Sequence, residues 1–226
     1  MKFDLAKNWW KLLGVVLVLY SIIAGFLVPV PKLPVIHESI RNLFFHVVMW
    51  FTMMVIFIVS LVNSIRFLVK DDMWYDLVAS QAVNTGLFFG MMGIVTGMEW
   101  ASFTWGTPWT NDPQLNGAAV TILAYFAYMV LRRSIDEDSK RARISAVYNI
   151  FAFVMLVVFI GILPRIAASS LHPATGGNPS TVATMAPAMR LVFYPAIIGW
   201  ILLAVWVLQL RTRYIKLKLK WDNPEE

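Results

Sequence analysis

The chain has 226 residues, of which 59% are hydrophobic and 14% are charged, and its mean hydropathy is +0.67. A soluble domain is usually about a quarter charged, so this composition excludes an ordinary soluble protein and indicates a membrane protein. The chain has no cysteine, which excludes disulfides and thiolate metal sites. We attribute the net charge of +6 to anchoring at the cytoplasmic face of a membrane rather than to nucleic-acid binding.

Six apolar segments are long enough to cross a bilayer, which takes about 20 residues. The first follows three lysines near the N-terminus and is too long for the apolar part of a signal peptide, so it is predicted to be a retained transmembrane helix. The predicted spans are residues 11–29, 43–68, 79–98, 116–132, 145–163 and 187–210.

The basic residues of the connections predict the orientation, because lysine and arginine are enriched in cytoplasmic loops. The less basic side carries only Lys32, Arg41, Arg165 and Arg190. Both termini are therefore predicted to be cytoplasmic, and connections 30–42, 99–115 and 164–186 to face outwards. The opposite side carries the basic residues Lys2, Lys7, Lys11, Arg66, Lys70, Arg132, Arg133, Lys140, Arg141, Arg143, Arg211, Arg213, Lys216, Lys218 and Lys220. The sequence thus predicts an all-α integral membrane protein with six helices in a single domain, residues 1–226.

All three histidines fall on the predicted outer side. Neutral imidazole is a common metal ligand, and an ionisable group inside a spanning helix is costly and tends to be functional. His46 lies about one turn inside the second helix, and His172 lies in a loop shaped by Pro173 and a Gly-Gly-Asn-Pro turn. These two are candidate ligands, although a lone histidine near an interface is often only a hydrogen-bonding residue. His37 is expected to be a surface residue.

The third predicted outer connection includes an aromatic stretch, WASFTWGTPWTNDPQLNG, at residues 100–117. A belt of interfacial tryptophans is one interpretation. However, a belt needs no Gly106, Pro108 or Asp112, and these residues favour a folded platform that presents the rings of Trp105 and Trp109. Asp112 before a proline is typical of a helix N-cap. A large flat apolar ligand with polar edges would suit such a platform, and haem is one.

Residues 105–112, WGTPWTND, resemble the tryptophan-rich motif of the cytochrome c assembly family of haem-handling membrane proteins, whose usual form is Trp-Gly-x-x-Trp-x-Trp-Asp. Six helices, cytoplasmic termini and one outer histidine on each side of the motif resemble the haem exporter protein C (CcmC) type within that family. The sequence departs from the usual pattern at Pro108, at Asn111 in place of the third tryptophan, and at Gln114, where relatives often have a basic residue.

The resemblance implies a non-enzymatic role in cytochrome c maturation at the bacterial cytoplasmic membrane. It implies that haem b is bound on the periplasmic side and passed to a periplasmic haem chaperone (CcmE type). ABC-transporter subunits (CcmA and CcmB types) and a small single-span subunit (CcmD type) are the other expected partners. The implied axial ligands of the haem iron are His46 and His172. The loop expected to contact the haem contributes Trp105, Gly106, Trp109 and Asp112.

Three outer arginines are candidate partners for the haem propionates, because arginine forms bidentate pairs with carboxylates. They are Arg41, Arg165 and Arg190, of which Arg190 is the most suggestive because it lies just inside the last helix. Binding of phospholipid headgroups is the alternative interpretation for each of them.

The sequence is also compatible with two other classes of protein. An electron-transfer cytochrome subunit would hold haem between histidine pairs on facing helices, and only His46 could approach such a position. A small-molecule transporter would place its site near the membrane midplane at broken helices or repeats. The glycine-rich third helix, GLFFGMMGIVTG, could serve that purpose, but close helix packing through small residues explains it more simply.

Overall fold

A computed structural model describes residues 5–32, 36–173 and 185–222, and these ranges contain helices and connections but no strand. Six helical stretches within them are long and apolar enough to span a membrane, which confirms the predicted fold class. They are α1 (Leu5–Leu27), α2 (His46–Lys70), α3 (Met73–Trp105), α4 (Pro113–Arg133), α5 (Asp138–Leu156) with its continuation, and α7 (Pro187–Asp222). A π-helical segment (Val157–Ile162) and the short α6 (Leu163–Ile166) continue α5, and a 3₁₀ helix (His37–Phe44) precedes α2.

Most of the helices are longer than the predicted apolar segments, and the aromatic connection is correspondingly shorter than the predicted 99–115. Helix α3 continues to Trp105 and ends at Gly106, whose φ of 76° is a left-handed conformation suited to glycine. Helix α4 begins after Asp112, which caps it as predicted and is followed by Pro113 in the first turn. The apolar pattern shows where the chain leaves the hydrocarbon region, which is not where the helix ends. No residue between 99 and 105 breaks the helix, so α3 continues through them.

The alternating direction of the helices places the functional candidates at one end of the bundle. We call this the site end; it comprises residues 36–45, the loop 106–112 and the segment 167–173. The opposite end carries the turns at residues 71–72 and 134–137. Much of the predicted connection 164–186, namely residues 174–184, lies outside the described residues.

Helices α2 and α3 pack closely along a row of four glycines, which we call the glycine ladder (Gly86, Gly90, Gly93 and Gly97). A Cβ added to any of them would fall 2.5–2.9 Å from a side-chain atom of α2, closer than real Cβ contacts. Close packing, the simpler explanation of the glycine-rich third helix, therefore applies. Each glycine of α3 faces one side chain of α2. In order towards the site end, the pairs are Gly86 with Phe57, Gly90 with Met53, Gly93 with Trp50, and Gly97 with His46.

Two polar contacts, one buried and one partly buried, hold the helices together away from the site end. Asn149 of α5 donates from Nδ2 to the hydroxyls of Ser60 and Ser64 on α2, at 2.6 and 2.7 Å. Arg132 of α4 and Asp76 of α3 form a two-pronged ion pair at 2.7 and 2.5 Å. Because unpaired polar groups are costly away from water, these contacts specify how α5 and α4 are placed against α2 and α3.

The π-helical segment interrupts the α-helix of the fifth span near the site end. Pro164 has no N–H, so it cannot donate the helical hydrogen bond to the carbonyl of Ile160. Arg165 compensates by donating from one guanidinium nitrogen to the carbonyls of Ile160 and Gly161. The segment also presses against α4, where a Cβ on Gly117 would lie 2.1 Å from the carbonyl oxygen of Phe159. A π-helical turn inside a helix is frequent at functional sites.

Candidate functional site

A cavity of about 490 Å³ lies between α2, α3, α4 and the fifth span at the site end. This volume is within the range of about 300–1,000 Å³ found for small-molecule sites. Along α2 the lining extends from His46 to Ile58, so the cavity reaches about 18 Å down that helix at 1.5 Å per residue. Most of the wall is apolar. The lining residues with nitrogen-bearing polar side chains are Asn42, His46, Trp50, Trp100, Trp109, Gln114, Arg165 and His172.

His46 is the first residue of α2, and its ring is fixed against α3. The Nδ1 atom lies 2.9 Å from the carbonyl oxygen of Gly93 and 3.3 Å from the hydroxyl oxygen of Thr96. The ring also meets the ring of Trp50, one turn later, edge to face with a centroid separation of 6.2 Å. The imidazole is therefore held at the cavity wall by contacts to two helices.

His172 lies on the segment that follows α6, and Asp112 holds that segment against the start of α4. The Oδ2 atom of Asp112 accepts hydrogen bonds from the backbone N–H of Leu171 at 2.7 Å and from the hydroxyl of Ser170 at 2.8 Å. Its Oδ1 atom accepts the N–H of Gln114 at 2.8 Å and lies 3.9 Å from Nδ1 of His172. One buried carboxylate thus caps a helix and positions the loop that carries His172.

His172 lowers the pKa of Asp112, and the Asp112 carboxylate raises the pKa of His172. Burial disfavours the ionised form of Asp112, but the hydrogen bonds from Leu171, Ser170 and Gln114 and the nearby His172 outweigh it, so the pKa of this carboxyl is lowered. Burial lowers the pKa of His172 below the ordinary 6.5, and the Asp112 carboxylate offsets part of that effect. At neutral pH the site therefore combines an ionised aspartate with a neutral imidazole, the form of histidine that binds metals.

The tryptophans of the predicted platform lie at different positions around the cavity. Trp109 and the neighbouring Pro108 line it. Trp105 instead packs against the ring of His172, edge to face, with the centroids 5.4 Å apart. Trp100 both lines the cavity and approaches His172, at 6.2 Å between centroids. Gly106 ends α3 and so sets the direction in which the loop leaves it.

The three candidate arginines also differ in position. Arg165 lines the cavity, although one of its nitrogens donates to the π-segment carbonyls. Arg41 donates to the carbonyls of Gly25 and Val28 at the end of α1, at 2.9 and 2.7 Å, and pairs with Glu38. Arg190 donates from Nε to the carbonyl of Met185 at 2.9 Å. Of the three, only Arg165 is among the described lining residues, whereas the sequence favoured Arg190.

His37 begins the 3₁₀ helix, and its side chain lies outside the described part of the structure. Four described lining residues with polar side chains were not assigned to the site from the sequence: Asn42, Trp50, Trp100 and Gln114. A signal for Trp50 was available, because it stands one helical turn after His46 on the same face. Trp100 belongs to the quoted aromatic stretch, but its role depends on the continuation of α3 past residue 98, which composition did not predict.

The donor set of this cavity matches the chemistry of haem. Two imidazoles from separate elements can supply axial ligands to an iron, and the apolar wall with its tryptophans suits a porphyrin. Arg165 and Gln114 offer N–H donors of the kind that bind carboxylates. None of the described residues forms a cluster of three or more histidine and carboxylate side chains that could hold a bare metal ion. The two imidazoles and the apolar wall fit a metal carried by its own macrocycle.

Comparison with known proteins also indicates a haem-handling membrane protein. The family model described as heme exporter protein C matches residues 3–224. The chain is 26% identical to heme exporter protein C of Paracoccus denitrificans, over 77% of this chain and 72% of the relative. It is 28% identical to the protein of the same name from Rhodobacter capsulatus, over 70% and 65%. It is also 28% identical to cytochrome c biogenesis protein CcsA of Prochlorococcus marinus, but over only 46% and 32%.

The family model covers nearly the whole chain, and the matches agree with the six-helix fold and with the resemblance carried by residues 105–112. The names of the relatives assign them to haem export and cytochrome c biogenesis, which supports a role in cytochrome c maturation. This chain belongs to the heme exporter protein C family of membrane proteins.

Proposed function

We propose that this protein binds haem b in the cavity at the site end, with His46 and His172 as the two axial ligands of the iron. The observation that carries the proposal is that these two histidines, 126 positions apart in the sequence, line one cavity. His46 comes from the start of a spanning helix and His172 from a loop. Ligands on separate elements could grip a flat macrocycle from both faces.

The apolar lining would hold the porphyrin by burial, with Trp109 as part of the wall. Trp105 would act indirectly, by packing against the ring of His172. Arg165 is the arginine best placed for a propionate because it lines the cavity. Its guanidinium has five N–H donors, and one nitrogen serves the π-segment carbonyls.

The protein would present haem for transfer and carry out no chemical reaction on it. The excess of basic residues at the end opposite the site supports an orientation with both termini in the cytoplasm of a bacterium. The haem would then face the periplasm, where a chaperone of the CcmE type could accept it. Subunits of the CcmA, CcmB and CcmD types would complete the assembly in the cytoplasmic membrane.

A transfer experiment tests this function. The purified protein is loaded with haem in detergent and mixed with a purified chaperone of the CcmE type, and the two are separated to measure the haem on each. We expect haem to move to the chaperone, and a His172→Ala variant to retain little haem to transfer. A protein that binds no haem would contradict the proposed cofactor. A protein that keeps its haem in the presence of the chaperone would contradict the proposed transfer.

A further inference from the structure

The wall of α3 that faces His46 has a different role from the rest of the glycine ladder. At Gly86 and Gly90 the ladder faces Phe57 and Met53, which are fully buried core side chains. At its site end it faces Trp50 and His46, both of which line the cavity. The register between α2 and α3 therefore also determines where the His46 ring lies.

The hydrogen bonds at this wall select one tautomer of His46. A carbonyl oxygen only accepts, so the 2.9 Å contact with Gly93 requires the proton on Nδ1. The Thr96 hydroxyl donates to the carbonyl of Met92 at 2.8 Å, which leaves its oxygen able to accept from the same Nδ1–H at 3.3 Å. With Nδ1 protonated, the lone pair of the neutral ring lies on Nε2, the nitrogen available to a metal.

The absence of a side chain at Gly97 allows the ring to take this position. A Cβ at residue 97 would lie 2.7 Å from Cε1 of His46 and 3.2 Å from its Nδ1. The obstruction would push the ring away from the very groups that orient it. The same turn of α3 is also fastened to the 3₁₀ helix, because Asn42 donates to the carbonyl of Thr96 at 3.0 Å.

We infer that Gly93, Thr96 and Gly97 form a seat that positions His46 as a ligand through Nε2, with Gly97 providing the space, and Gly93 and Thr96 fixing the tautomer. These are positioning residues, since they act through His46. The inference rests on the proposed function, because it assumes that His46 binds the haem iron. A histidine ligand that donates its second ring N–H to a carbonyl or hydroxyl is the usual arrangement at metal sites, and its loss typically weakens metal binding about 10–100-fold.

The test compares substitutions in this seat with one of similar steric severity elsewhere on the ladder. Gly97→Ala should weaken haem binding at least about tenfold and shift the electron paramagnetic resonance signal of the ferric haem, because the ligand ring turns. Thr96→Val removes the hydroxyl at nearly constant volume and should weaken binding by up to about tenfold, since Gly93 still accepts the proton. Thr96→Ser retains the hydroxyl and should restore binding.

Gly86→Ala is the matched control, because its Cβ would lie 2.5 Å from Phe57, far from His46 along the ladder. It should lower the unfolding temperature in detergent and leave the resonance signal unchanged. Equal spectral shifts in Gly86→Ala and Gly97→Ala would show a purely structural role and overturn the inference, as would unchanged binding and spectra in both Thr96→Val and Gly97→Ala. The His46→Ala variant separates this failure from that of the proposed function, because normal haem binding without His46 would contradict the function itself.

Discussion

The Oδ2 atom of Asp112 accepts the backbone N–H of Leu171 at 2.7 Å, which joins the start of α4 to the segment that carries His172. The other carboxylate oxygen accepts the N–H of Gln114 and caps α4. The sequence predicted the second contact from the Asp-Pro pair. The first could not be predicted from spacing, since it joins residues 59 positions apart.

Asp112→Asn should separate the two roles of this side chain. Asparagine has one carbonyl oxygen, so it can cap α4 or bind the Leu171 N–H, but it cannot accept all the bonds of a carboxylate. Loss of the cap alone lowers the free energy of unfolding by roughly 1 kcal/mol. Each lost hydrogen bond to a charged group lowers it by about 1.5–3 kcal/mol. We expect haem affinity to fall in the order wild type, Asp112→Asn, Asp112→Ala, as measured by haem titration. Full affinity in Asp112→Ala would show that His172 is held by other contacts.

The pH dependence of haem binding should reflect the lowered pKa of His172. Half of ordinary imidazoles are protonated at pH 6.5, whereas His172 stays mainly neutral there because burial opposes its protonation. Neutral His172 also favours the folded state, so its contribution to stability is complete above pH 6.5 and declines as the pH falls below that value. Haem titrations should give little change between pH 7.5 and 6.5. An imidazole of ordinary pKa would lose about half of its neutral fraction across that interval, so a loss of affinity of about twofold or more would contradict the assigned environment of His172.

The two tryptophans of the motif should respond differently to substitution. Trp109→Ala removes part of the cavity wall and should weaken haem binding by up to about 3 kcal/mol, the value of burying a large side chain. Trp105→Ala should leave the wall intact but release the His172 ring. It should therefore change the absorption spectrum, which reports the ligands of the iron, more than it weakens the apolar contact with the haem. Absorption spectra and haem titrations of both variants measure these effects, with Phe103→Ala as the control because Phe103 is 79% exposed. If neither tryptophan variant differs from wild type, the loop is only an interfacial belt.

The orientation can be tested by labelling, because the chain has no cysteine of its own. Thr107 lies in the loop of the site end, and Ser139 is an exposed residue near the start of α5 at the opposite end. Thr107→Cys should react with a membrane-impermeant thiol reagent in intact cells, and Ser139→Cys only after permeabilisation. The reverse pattern would place the haem cavity on the cytoplasmic side and exclude transfer to a periplasmic chaperone.

The number of spanning helices could be predicted from sequence because each needs a long apolar run, and lipid makes that requirement strict. The helix ends could not, since α3 continues to Trp105 through residues that composition does not distinguish from a loop. That continuation brings Trp100 to the cavity and sets Trp105 against the ring of His172.

The site was partly predictable for a similar reason. His46 and His172 could be selected as candidates because the chain has only three histidines. The motif of residues 105–112 indicated haem as the group that they bind. Which of the candidate arginines lines the cavity depends on local backbone contacts that spacing does not reveal. Arg41 donates to a backbone carbonyl near the end of α1, whereas Arg165 lines the cavity beside the π-helical segment.

Ligation of haem iron by both His46 and His172 is the central claim, and the electron paramagnetic resonance spectrum of the purified haem-loaded protein tests it most directly. The chain has three histidines, so single His→Ala variants at positions 37, 46 and 172 cover every imidazole. We predict the low-spin signal of two histidine ligands in the wild type and in His37→Ala, and its loss in His46→Ala and in His172→Ala. Retention of the wild-type signal in either of the last two variants would contradict the account.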